Sequence, residues 1–172
     1  MEQLKPEDLE EAVKRISKEC DFPVSEITAS RCDYSRQDIV PKNPLRDGEV
    51  LVGCMFYDKH KSRLVRIEDR VYGDKERSAF GAVNFLLGDA RDPEEAEILI
   101  RHLHNAGFGT VSDMCHISAK LDGTQENAEF FLRTYFTAQN KAYEFIAAKN
   151  KMHERHREEA SKLLMQYSPN NS

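Results

Sequence analysis

No stretch of this sequence approaches the roughly 20 consecutive apolar residues that a membrane-spanning helix needs, and no Gly-rich phosphate loop leads into a helix. The four cysteines, Cys20, Cys32, Cys54 and Cys115, stand far apart with no CxxC pair. That spacing excludes the dense disulfide framework of a small secreted domain. The first residues, Met-Glu-Gln-Leu-Lys-Pro-Glu-Asp, are charged and hold no apolar signal core, so reduced thiols in a cytoplasmic setting are expected. Basic residues do not dominate either: 30 acids stand against 25 bases, a formal charge of −5. Such a balance gives no global steering toward nucleic acid or anionic membrane.

What is present is ordinary globular material, 40% apolar and 32% charged in 172 residues. This suits one domain, long enough to bury a core unaided. Pro6, Glu7 and Asp8 open a helix predicted over about Pro6 to Cys20, with Leu9, Ala12, Val13, Ile16 and Cys20 as its apolar stripe. Ile27 to Tyr34 is a candidate strand. Glu49 to Tyr57 and Arg63 to Tyr72 read as a β-hairpin joined by the polar link Asp58-Lys59-His60-Lys61-Ser62. In the second strand Val65, Ile67 and Val71 alternate with Arg66, Glu68 and Arg70, which predicts a sheet solvated on one face. Ala79 to Leu87 fits either helix or strand, and Gly81 favours strand. Asp92, Pro93 and Glu95 spell a helix start, Gly107 a stop, and Phe108 to Ala119 a following strand. Strand, helix and strand in that order suggest a βαβ unit with parallel strands.

From Thr124 to about Tyr167 the sequence has neither proline nor glycine. One helix of roughly 40 residues, near 60 Å long, is predicted. Its first half carries Ala128, Phe131, Leu132, Tyr135, Phe136, Ala142, Phe145 and Ile146, a face expected to pack on the sheet. From Asn150 to Glu159 the sequence is polar apart from Met152, and Leu163, Leu164, Met165 and Tyr167 then form a terminal apolar cluster. A seam with alternating three- and four-residue spacing runs through Lys149, His153, His156, Ala160, Leu163 and Tyr167, as in a coiled coil. Either the tip folds back on its own domain or it docks a second chain. A homodimer is the simplest form of the latter.

Other residue sets allow other chemistry. His116-Ile117-Ser118 on a strand, with His104 nearby in sequence, would suit a small enzyme acting on a phosphorylated or nucleotide substrate. The competing reading is a set of edge and packing residues. Lys59, Lys61, Arg63 and Arg66 make a basic hairpin over residues 58–66 that could track a phosphate backbone. The bland alternative is a lysine-bearing tip that resists edge pairing. His153 and His156 are three apart on a helix and are too few for a zinc site.

The sequence therefore predicts an α+β fold: an N-terminal helix, an antiparallel hairpin or meander of three to four strands, a capped helix and a long C-terminal helix. A globular body over 1–149, a projecting helix end over 150–167 and a disordered tail over 168–172 are expected. The leading functional expectation is a non-enzymatic interaction protein. Met152, His153, His156, Leu163, Leu164 and Tyr167 would bind a protein partner or a second copy, with no metal or other cofactor.

Overall fold

The computed structural model describes residues 4–32, 50–58, 63–72, 76–84, 93–113 and 116–168. The first helix, α1 (Pro6–Glu19), opens on the expected proline with Glu7 and Asp8 in its first turn. Leu9, Ala12, Val13 and Ile16 are fully buried. On the wet side Lys14 pairs with Glu10 at 2.5 Å and Arg15 with Glu11 at 2.9 Å. Asp21, with φ of 50°, turns the chain out of the helix. The Phe22 N–H then donates to the Ser17 carbonyl at 2.8 Å. That turn drives Phe22 into the core.

Among the described residues six strands follow: β1 (Val24–Cys32), β2 (Val50–Asp58), β3 (Arg63–Tyr72), β4 (Glu76–Asn84), β5 (Thr110–Asp113) and β6 (His116–Leu121). They form one sheet in the order β1-β2-β3-β4-β6-β5. Each neighbouring pair is antiparallel. The first four are the expected meander, and the ambiguous segment is strand over its described residues 79–84, with 85–87 outside the described residues. The segment expected as one strand over Phe108–Ala119 is instead a hairpin. Its second arm, β6, turns back and inserts between β5 and β4. The expected parallel βαβ contact is therefore replaced by two antiparallel ones. A β-bulge between Ser25 and Thr28, with Glu26 at φ 54°, interrupts the outer strand β1.

Register assigns the two sheet faces, because residues opposite one another share a face. Cys54 lies opposite Ile67 and Phe56 opposite Val65. All four are buried with Ile117, Ala119 and Leu121 in the core shared with the helices. Asp69 lies on this face too, and accepts the Leu4 N–H at 2.9 Å, which ties the entry of α1 to the sheet. The other face departs from expectation. Arg66 and Glu68 alternate onto the side predicted to be solvated, yet both are buried. The guanidinium lies 3.3 Å from the carboxylate. Alternation separates the faces but does not say which one meets water, and a covered charge is tolerated where an opposite charge accompanies it.

Helix α2 (Pro93–Asn105) buries Leu99 and Leu103 and ends as predicted, with Gly107 at φ 90°. The Phe108 N–H donates back to the Leu103 carbonyl at 3.0 Å. Asp92, the expected cap, lies outside the described residues. Glu95 is buried and accepts a hydrogen bond from the Gln139 amide on the last helix.

That last helix, α3 (Gln125–Gln166), is continuous over 42 residues. Thr124 caps it, accepting the Asn127 N–H at 3.1 Å. Ala128, Phe131, Leu132, Tyr135, Phe136, Ala138, Gln139 and Ala142 are buried. Phe22 stacks on Phe136 with centroids 4.8 Å apart and meets Tyr135 edge-on at 5.8 Å. Phe56 from β2 reaches Phe136 at 5.7 Å. Polar straps run along both flanks. Arg15 pairs with Glu129 and Arg133 with Glu19 toward α1, and Lys149 with Glu94 toward α2.

Candidate functional site: the projecting end of the long helix

The Lys149–Glu94 ion pair is the outermost strap described between α3 and the body. From Asn150 to Ser168 every residue is exposed. The helix persists there because nothing in the segment breaks it, and Glu158 precedes Lys162 by four residues in the favoured order. From Asn150 to Gln166 it extends about 25 Å at 1.5 Å per residue.

This end is not uniformly polar. Met152 is 51% exposed, Leu163 55%, Leu164 74%, Met165 66% and Tyr167 83%. Single exposed apolar residues are normal on a protein surface, whereas several on one element hint at a binding surface. At 100° per residue Met152, His156, Leu163 and Tyr167 fall on one face, with Leu164 at its edge. His153 and His156 are exposed. Among the described residues no group of three His, Cys, Asp or Glu side chains can hold a metal ion.

Phe145 belongs to this site, against expectation. Its place in the apolar first half of α3 predicts packing on the sheet with Ile146, but it is 48% exposed. Its neighbours Lys141, Glu144, Ala147 and Ala148 are also exposed. The signal is available in the numbering: Phe145 lies about five helical turns below Leu163 and so shares its direction. An exposed apolar stripe thus begins on the body and continues to the tip.

Among the described residues, His104 and Ser118 stand apart from one another. His104 is exposed in the last turn of α2. Ser118, half-buried on β6, lies opposite Ala82 in the register row of Arg66, on the sheet face turned away from the core. His116 opens the same strand, at the register position opposite Asn84. His104 therefore stands on the helix layer and Ser118 on the reverse of the sheet. Clefts on the surface of the described residues include two of about 630 and 560 Å³. The first is bounded by Gly107, Lys120, Thr124 and Asn127, the second by Asp21, Asn140, Tyr143 and Ile146. Neither is lined by His104 or Ser118. Of the basic hairpin, Lys59 and Lys61 lie outside the described residues, and Arg63 opens β3. Arg66 is buried, with its guanidinium beside Glu68.

Among the described residues no helix is long and apolar enough to cross a membrane. Comparison of the chain with protein families, curated proteins and solved structures finds no match.

Proposed function

We propose that this chain is a protein-interaction module whose α+β body holds out the end of α3 as a docking arm. The observation that carries this reading is the exposed apolar cluster Met152, Leu163, Leu164, Met165 and Tyr167 on a helix end outside the body. Burying a leucine or methionine side chain is worth roughly 1.5–3 kcal/mol, so a partner covering the cluster gains several such increments. An adaptor, a chaperone-like holder or an inhibitor would each use such an arm, reading an apolar face at i, i+3, i+4 and i+7 spacing.

The test compares three chains: the full sequence, a chain ended at Asn150, and the Leu163→Asp/Leu164→Asp double variant. Each is immobilised and exposed to native lysate, and each is sized by light scattering. The reading expects a specific protein, or a second copy, bound by the full chain and lost in both altered forms. Equal capture together with an equal oligomeric state in all three chains would remove it.

A further inference from the structure

We infer that the occupant of the arm is a second copy of this chain, laid antiparallel along the first, an inference that rests on the docking role proposed above. The order of residue types along the exposed stripe carries it. Apolar residues stand at both ends, Phe145 at the base and Leu163 toward the tip. A cation, Lys149, stands near the base and an anion, Glu159, near the tip. Two copies run parallel and in register would set Lys149 against Lys149 and Glu159 against Glu159. Antiparallel copies related by a two-fold axis beside residue 154 reverse each conflict at once. Phe145 meets Leu163 of the second copy, Met152 meets His156, and Lys149 meets Glu159. The small Ala148 meets Ala160, which lets the helices approach.

The structure leaves room for this register on the first copy. Phe145 is half-exposed, and Ala148, Met152, His156, Glu159, Ala160 and Leu163 are all exposed. Lys149 already pairs with Glu94 across α2, so Glu159 of the second copy would join an existing ion pair at the foot of the arm. A two-fold contact is self-complementary, so each apolar end is covered twice over, once in each copy.

The experiment is sedimentation of the full chain from about 1 to 100 µM, a range that brackets a micromolar dissociation constant. The wild type should show a concentration-dependent dimer. Glu159→Lys and Lys149→Glu should each weaken it about tenfold or more, with helix content unchanged by circular dichroism. Mixing the two variants should restore the dimer as a heterodimer. In the mixed pair each contact between positions 149 and 159 again joins a cation to an anion. A wild type that stays monomeric throughout, or a Glu159→Lys chain that dimerises as tightly as wild type, would overturn the inference. The docking role is judged separately. A monomeric wild type that captures a different protein, and loses it on Leu163→Asp/Leu164→Asp, keeps the arm and rejects the second copy. A monomeric wild type that captures nothing rejects both.

Discussion

Cys54 shows how burial sets chemistry one side chain at a time. It is 1% exposed on the core side of β2, and desolvation pushes its thiol up to about 12. Cys20, at the end of α1, is only half-buried and is raised more modestly, chiefly by the same cause. Alkylation at pH 8 followed by peptide mapping should label Cys20 readily and Cys54 only after denaturation. Linkage gives a second expectation. The native thiol holds its proton above pH 9 while the unfolded one releases it, so this group's stabilising effect is full below pH 9. It declines as pH rises from 9 toward about 12. Glu95 and Gln139 make a different case, a buried acid accepting from a buried amide. Glu95→Ala should cost about 1–3 kcal/mol in urea unfolding, because the amide loses its acceptor. Replacing both residues with leucine should cost less than that.

At the scale of elements, the helices were more legible than the strands. Pro6, Asp122-Gly123-Thr124 and Gly107 punctuate the chain, and a helix end depends on a few neighbouring residues. Gly107, at φ 90° with open space around it, is required by conformation alone. Gly107→Ala should therefore cost about 1–2 kcal/mol, read as a lower thermal midpoint. Strand pairing depends on distant partners. The reversal within 110–121 follows from where β6 finds an edge, at β4, and no local signal in Phe108–Ala119 announces it. Burial of Arg66 and Glu68 was illegible for the same reason. Alternation fixes that they share a face, while the cover over that face comes from elsewhere in the fold. The long last helix with its exposed apolar end was legible because its signals are local: a polar run and then an apolar tip with no breaker between them. Phe145 escaped because Ala142, three residues earlier on the same helix, is buried, and a side chain at the boundary fits either set.

For the whole molecule, the buried aromatic core lies in the body, and the docking surface proposed above lies on the exposed end of α3. The aromatic group of Phe22, Phe56, Tyr135 and Phe136 joins the turn after α1, the sheet and α3. Phe22→Ala should destabilise the protein by roughly 3–5 kcal/mol in chemical denaturation. A chain ended at Asn150 retains every buried residue of α3, so its unfolding midpoint should match the full chain measured below its assembly concentration. The two outcomes together separate folding from docking.

The straps between α1 and α3 also bear on the order in which the chain acquires structure. Arg15 reaches Glu129 and Asn140 reaches the Cys20 carbonyl across sequence separations of 114 and 120 residues. Contacts so distant raise the loop-closure cost that precedes them and slow the search for the native topology. Synthesis delivers the first helix early and its covering helix last. Until residue 142 has emerged, the stripe of Leu9, Ala12, Val13 and Ile16 lacks the buried face of α3 that packs beside it in the native fold.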